Sequence, residues 1–575
     1  MTIHHRRIPV LPKRPVTFPV SRQIFRSYPV GRQNFSRACK GRNMTLTITT
    51  EEAFPPGIKA NILTTMNSRY GTEWEKYPFE KIDDRIMECV FKPRRPGLHS
   101  FRAEFSMDNG ISWSRDTVPD AWVLVDPPQV DGLRLYTIIP NVSGTIADWK
   151  ADLVRIRDMG FNAIHLLPLT LKDTSESPYS AKELFNIDPG YLVEGSQLNG
   201  LEQLEEFIEE AKVLGIRLCF DLVLNHIGVD SSMSKIAPDW IVPDSKQPDG
   251  FRRARYWSNQ GWQNWDDLVL INYEHPSDAI RSEIWSYMID YALFWSKYAS
   301  ETGGFVRFDN LHSSNPDFVQ ALTTKLHARY PNVGIIAEYF ADENILLNTG
   351  PKWGLNLNLA TPWNYKFVPQ LREYLNYIHR VSIHIRYYMP VTSHDSGTPA
   401  QEFGNIYSTI PRYVVATLLG TGASGIIQGV EFGLKEKINF IGREPRMELQ
   451  TEPMFGLFIG KVNAILANYP AFRHGENCLF VDNGHPAIIA AFRESTGNQL
   501  YGFLIACNFD TTSGQHISIN LTQTIGTKEP ITYCELLSDK TGIFPGPHFE
   551  LSLPPCSAQV LMLTEINKAD FETAF

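Results

Sequence analysis
Between about residue 133 and residue 428 the chain alternates short apolar runs with longer amphipathic ones, and this alternation constrains its fold more than any other feature. Apolar runs too short for helices, each followed by a helix-period segment, are the pattern of parallel strands joined by crossover helices. The spacing predicts strands at about 133–139, 163–168, 217–224, 305–308, 333–337, 355–359, 388–392 and 424–428, with helices over 146–159, 201–214 and 278–298. Such units close into an eight-stranded α/β barrel whose functional side chains gather where the strands end. Residues 226–277, dense in Trp, Asn, Asp and Pro, interrupt the alternation after the third strand, and a connection that long inside a compact domain is usually functional.

Isolated acidic residues stand at the strand ends. The segments are Asp221-Leu-Val-Leu-Asn225-His226, Val306-Arg307-Phe308-Asp309-Asn310-Leu311-His312, Ile336-Ala337-Glu338 and Val391-Thr392-Ser393-His394-Asp395. A glycosidic bond breaks through an oxocarbenium-like transition state. It needs a carboxylate beside the anomeric carbon and a protonated acid beside the leaving oxygen, about 5–5.5 Å apart when configuration is retained. Asp309 and Glu338 are the candidates. Arg307, two positions before Asp309, shares its strand face, where a guanidinium favours the ionised carboxylate. Read alone, that pair equally describes a strand-end salt bridge. Glu338 closes the apolar run at 333–337, where partial burial would raise its pKa and keep it protonated; alone, it equally reads as a helix cap.

In this order the four segments resemble the motif regions of the α-amylase family, glycoside hydrolase family 13, over about two thirds of the chain. The resemblance implies Asp309 as nucleophile, Glu338 as acid and base, and Asp395 as the third carboxylate, which holds the sugar and stabilises the transition state. It makes His226 and His394 donors to hydroxyls of the sugar at the cleavage point and Tyr179, in Ser177-Pro-Tyr-Ser180, the platform on which that sugar stacks. Asp221 supports Arg307 or the strand-three turn, and Arg307, Asn310 and His312 complete the substrate-binding set. Trp257, Trp262 and Trp265 read either as further glucose sites or as packing of a subdomain.

Two subgroups draw on different residues. Asp309-Asn-Leu-His-Ser313 and Ala337-Glu-Tyr-Phe340 are similar to the glucanotransferase half of glycogen debranching enzyme, whereas residues 457–471 and the N-terminal β-rich region resemble the maltosyltransferase that uses maltose 1-phosphate. No equivalent of the latter's Lys-rich phosphate-binding loop is found. The resemblance implies a retaining enzyme that hydrolyses or transfers α-1,4-linked glucose units of glycogen, starch or maltooligosaccharides. Maltosyl transfer from maltose 1-phosphate is one alternative, and a glucan-binding or regulatory protein on an inactive barrel is the alternative of another class. No organic cofactor is implied; calcium near Asn225 is implied by the resemblance, without a clear series of oxygen ligands.

The flanks complete the expected architecture: a basic, disordered extension over 1–43, a β-sandwich over 44–128, a (β/α)8 TIM barrel over 129–470 and a C-terminal antiparallel β domain over 471–575. The formal charge of −9 comprises +10 in residues 1–50 and −19 in the remainder, and so acidic a body argues against nucleic acid as a partner. The extension reads as a disordered tail, as an organellar presequence or as sequence upstream of a start at Met44; Pro9, Pro12, Pro15 and Pro19 oppose the amphipathic helix of a presequence. No apolar run approaches the ~20 residues of a membrane span. Seven scattered cysteines without a Cys-x-x-Cys pair fit free thiols in the cytoplasm. Trp74, Tyr77, Trp113 and Trp122 in the sandwich are expected in its core, with a sugar-stacking platform as the lesser reading.

Overall fold
The computed structural model describes residues 15–18, 21–27, 35–50, 52–67, 73–115, 120–258, 261–442, 444, 446–447, 453–495 and 500–565. Its centre is a closed barrel of eight parallel strands. They are β1 (Leu133–Ile138), β2 (Ala163–Leu166), β3 (Arg217–Val223), β4 (Phe305–Asp309), β5 (Gly334–Ala337), β6 (Leu357–Leu359), β7 (Tyr387–Pro390) and β8 (Ala423–Ile427). The strands are buried on both faces, which is why they read as continuous apolar runs rather than alternating ones. Alternation survives in direction. Leu133, Leu135, Ala163, Cys219, Phe305, Ile336 and Leu357 fill the barrel, while Tyr136, Ile164, Phe220, Val306 and Ile335 pack outward against the helices.

The helices begin where their capping residues say they should. Thr145 and Asp148 form a capping box for Ile146–Asp158, and Asn199 with Glu202 does the same for Gly200–Val213. The 24-residue helix Asp278–Glu301 carries the chain from β3 to β4. Glycine is required where the barrel draws tight: a Cβ on Gly425 of β8 would strike the Leu135 carbonyl of β1, and one on Gly304 would strike that of Leu218. The insertion after β3 is a three-stranded sheet of His226–Gly228, Gly261–Leu270 and Arg253–Ser258. A two-stranded hairpin, Thr170–Lys172 with Ala181–Ile187, follows β2 and carries Tyr179 in its turn.

The N-terminal β domain begins earlier than the sequence suggests. Phe35–Cys39 pairs in parallel with Ala121–Asp126 inside a sandwich sheet, and Pro15–Phe18 with Ser21–Ser27 forms an edge hairpin of the other sheet. The expected disordered extension over 1–43 is therefore corrected for these stretches; its other residues before 35 lie outside the described residues. The reason is Arg37. Its guanidinium donates to Asp126 at 2.6 Å and to the carbonyls of Asn356 (2.8 Å) and His384 (3.0 Å), fastening the strand to the bottom of the barrel. Nor do the sandwich tryptophans lie in its core: Trp74, Trp113 and Trp122 are 41%, 37% and 45% exposed. Trp122 occupies the outward register between buried Ala121 and Val123, and Arg102 covers Trp74 at 4.1 Å.

At the other end a six-stranded antiparallel sheet, from Cys478–Phe480 to Ser557–Glu565, packs on the barrel. The fully buried Arg493 joins the two, donating to the carbonyls of Leu418 (2.6 Å) and Gly420 (2.7 Å). Among the described residues no helix is long and apolar enough to cross a membrane.

Candidate active site
Strand parity aims the acidic residues at one point. Asp221 of β3 pairs with Arg307 of β4, Val223 with Asp309, and Arg307 with Ile336 of β5. Counting in twos from Cys219, Phe305 and Ile336, which fill the barrel, brings Asp221, Arg307, Asp309 and Glu338 to the inner face at its C-terminal rim.

Arg307 is the hub. Its Nη1 donates to Asp221 Oδ2 at 2.6 Å and to Asp309 Oδ1 at 3.0 Å, while Nη2 donates to Glu338 Oε2 at 2.8 Å. One buried guanidinium thus spans three carboxylates from three consecutive strands. Asn310, directly after Asp309, adopts the left-handed conformation (φ 44°), which asparagine tolerates better than most residues. The turn aims its backbone N–H at the same Glu338 Oε2, at 3.0 Å. Both donors fall on Oε2, so a proton carried by Glu338 belongs on Oε1.

Asp221 and Asp309 do not titrate alike. Burial opposes ionisation of Asp221, but Arg307 and His165 hold its carboxyl well below the usual range. Asp309 goes the other way: burial pushes it well above the usual range, with Glu338, Asp221 and Asp395 adding to the rise and Arg307 countering only part. Arg307 does favour the ionised form of Asp309, as its place on the same strand face implies, but it does not outweigh burial and the neighbouring carboxylates. Arg307 is shared, and Asp221 takes the closest contacts.

A second group of rings and hydroxyls backs the carboxylates. Tyr179 Oη donates to Asp221 Oδ2 at 3.0 Å and lies 2.7 Å from His394 Nε2. His165 Nε2 reaches Asp221 Oδ2 at 3.1 Å and its Nδ1 meets Thr137 Oγ1 at 3.2 Å. His165 is missing from the sequence reading, although a histidine inside the wholly buried strand Ala163–Leu166 was the available signal. Asp395 sits at the rim with its side chain 55% exposed, 3.2 Å from His394 Nε2, and Lys437 holds its backbone carbonyl at 2.9 Å.

The remaining expected residues are placed less directly. Asn310 enters the site through its backbone, since its side chain accepts from Ser313 Oγ at 3.0 Å. His312 lies exposed in the turn after β4, its ring 5.6 Å from Phe340 and bound to none of the carboxylates among the described residues. His226 is buried with neither ring nitrogen hydrogen-bonded. In the insertion, Trp265 stacks on Tyr256 at 4.9 Å and Trp262 is 64% exposed; the Trp257 side chain lies outside the described residues. The surroundings of Asn225 do not fit calcium, which takes six to eight oxygen ligands. The cavity beside it is lined by Lys246, Arg252, Arg253 and Arg255, and among the described residues no three His, Cys, Asp or Glu side chains converge as a metal site.

Inward carboxylates on the C-terminal rim of a closed (β/α)8 barrel, flanked by an antiparallel β domain, define the fold of the α-amylases. Over 76% of its length the chain superposes on 99% of a maltogenic α-amylase from Thermotoga neapolitana, with a TM-score of 0.60 and 17% identity. Residues 127–246 match the family model described as glycogen debranching enzyme, glucanotransferase domain. Among curated proteins the chain is 25% identical to an α-1,4-glucan:maltose-1-phosphate maltosyltransferase of Rhodospirillum rubrum, over 39% of this chain and 33% of that one. It is 22% identical to one of Picrophilus torridus, over 68% of this chain and 63% of that one. The chain thus spans between a third and just under two thirds of these two relatives. The resemblance to the α-amylase family read from the four motifs holds in sequence and in fold.

Proposed function
We propose that the chain cleaves α-1,4-glucosidic bonds of glycogen, starch or maltooligosaccharides with retention of configuration, passing the glycosyl group to water or to a sugar hydroxyl. The observation that carries this reading is the single guanidinium of Arg307 bound to Asp221, Asp309 and Glu338, which gathers the two carboxylates a retaining cleavage needs about one cation. Asp309 attacks the anomeric carbon, and Glu338 delivers the proton on Oε1 to the leaving oxygen. Glu338 then takes a proton from the incoming water or hydroxyl as the ester to Asp309 is broken. Tyr179, His394 and Asp395 hold the sugar, with Asp221 and His165 fixing Tyr179 and Arg307 in place. A non-catalytic scaffold would have no chemical use for this constellation. No organic cofactor enters the proposed steps. The seven cysteines, all unpaired, favour a cytoplasmic setting.

The curated relatives favour a second reading, maltosyl transfer from maltose 1-phosphate, at the same carboxylates. One experiment tests the chemistry common to both. A Glu338→Gln variant incubated with α-maltosyl fluoride accumulates a glycosyl ester on the peptide that contains Asp309, detected by mass spectrometry. No adduct, or an adduct on another carboxylate, overturns the assignment. Maltoheptaose incubated with and without inorganic phosphate then separates the readings, because plain glucan cleavage is insensitive to phosphate.

A further inference from the structure
The insertion after β3 and the turn after β4 border an open concavity of about 580 Å³ whose lining is strongly cationic. Lys246, Arg252, Arg253 and Arg255 all face it. Arg253 is neutralised by Asp249 at 2.9 Å, but Lys246, Arg252 and Arg255 have no carboxylate partner among the described residues. The acidic residue in the lining, Asp244, is turned to its own loop, where it accepts from the Lys246 backbone N–H at 3.0 Å. Three cations without counter-ions in one concavity favour an anion, and guanidinium groups suit the oxygens of a phosphoryl group in particular.

A second observation points to a ligand. Asn225, at the inner wall of this cavity, is only 3% exposed, yet neither its amide nitrogen nor its oxygen has a hydrogen-bond partner. A buried amide left unpaired costs free energy that a bound polar group recovers. The cavity adjoins the carboxylates through the turn that begins at Asp309: Ser313 lines it and donates to Asn310, whose N–H holds Glu338.

We infer that this cavity is an oxyanion subsite that receives a phosphoryl group carried by the sugar substrate, with Lys246, Arg252 and Arg255 supplying the charge and Asn225 a neutral donor at the inner end. The inference rests on the proposed α-glucan reading of the adjoining carboxylates. The phosphoryl group either hangs from a hydroxyl of the glucan or is the anomeric group that departs.

Calorimetry on the full chain decides it, comparing maltoheptaose, maltoheptaose phosphorylated on a primary hydroxyl, maltose, maltose 1-phosphate and inorganic phosphate, with wild type and an Arg252→Ala/Arg255→Ala variant. One of the phosphorylated sugars binds wild type more tightly than its unphosphorylated counterpart by roughly tenfold or more, as for hydrogen bonds to a charged group. The double variant loses that advantage and still turns over maltoheptaose at the wild-type rate. Preference for the phosphorylated heptaose assigns the group to the glucan; preference for maltose 1-phosphate assigns it to the leaving position. Equal affinity for phosphorylated and plain sugars, an advantage that survives in the double variant, or binding of inorganic phosphate alone overturns the inference. Binding of maltoheptaose itself reports separately on the α-glucan reading.

Discussion

The rings of Tyr179 and His394 lie almost parallel, 4° apart in plane with centroids at 5.5 Å, and the Tyr179 hydroxyl sits 2.7 Å from His394 Nε2. Burial, and then the nearby Arg307 charge, push the His394 pKa down to about 3, so its ring is neutral. The Tyr179 O–H donates to Asp221, whose carboxylate is held ionised. Its oxygen therefore accepts from His394 Nε2–H, which fixes the tautomer and leaves Nδ1 as the acceptor.

That neutrality sets a pH dependence. Burial also lowers His226, to about 4. As pH falls below about 6.5, the unfolded chain protonates these histidines while the folded chain does not, so stability declines with falling pH toward about 4. Thermal melts of His394→Gln between pH 7 and pH 4.5 show a shallower decline than wild type. The acid limb of kcat/KM keeps its midpoint in the variant, and its amplitude drops roughly 10- to 100-fold, as for loss of a hydrogen bond to a polar or charged group. A limb that moves or vanishes would assign the ionisation to His394.

Asp221 and Asp309 share Arg307 and respond oppositely to substitution. Asp221→Asn removes a carboxylate held below its usual range and strips Arg307 of its nearest partner, costing about 3–5 kcal/mol of stability at pH 7. The Asp221 contribution is present above about pH 4 and is lost as pH falls through its folded value. Asp309 is held above its usual range, so Asp309→Asn leaves the melting temperature unchanged or raises it while turnover falls by several orders of magnitude. A destabilised Asp309→Asn or a stable Asp221→Asn contradicts this division.

For Glu338 the prediction concerns the leaving group. Glu338→Gln keeps acceptor oxygen for Arg307 and Asn310 but has no proton to give. Turnover of maltoheptaose falls by about 10²–10⁴-fold, the usual scale of general acid–base catalysis. The first step with a maltosyl fluoride, whose departure needs no proton, stays within about tenfold of wild type, read as fluoride release in a single turnover. Equal losses on both substrates would remove Glu338 from the acid role.

Arg37 tests the start of the folded chain. Arg37→Ala leaves Asp126 with the Asn356 amide at 2.8 Å and a weaker ionic contact to Arg386 at 3.7 Å, and costs about 3 kcal/mol, the low end for breaking a buried pair. A chain begun at Met44 loses Phe35 as well and melts lower still, with maltoheptaose activity at low temperature unchanged because the carboxylates lie at the opposite rim. Equal melting temperatures for the two lengths would return residues 35–43 to a passive tail.

The barrel is legible in the sequence because burial on both faces leaves no ambiguity of phase: each of β1 to β8 falls within a few residues of its expected run, even the three-residue Leu357–Leu359. The carboxylates are legible because each closes such a run. What escapes is whatever depends on partners distant in the chain. The hydroxyl of Tyr179 and the ring of His165 meet at Asp221 from different loops and strands, and no local pattern announces it. Residues 35–39 read as a tail because basic composition outweighs two buried side chains, Phe35 and Ser36. The tryptophans of the sandwich misled for the reverse reason. Size and apolarity suit a core, but strand register decides which face each one meets.

Three carboxylates gather about one guanidinium, which leaves the pocket short of positive charge and, with burial, raises the affinity of Asp309 for a proton. A sugar ring that becomes cationic at its anomeric carbon fills the deficit and favours Asp309 as the carboxylate that attacks it. The carboxylate cluster thus carries the charge opposite to the one its reaction creates. Compounds that mimic a sugar and already carry a positive charge should enter with release of a proton to solvent, a signature that neutral sugars lack.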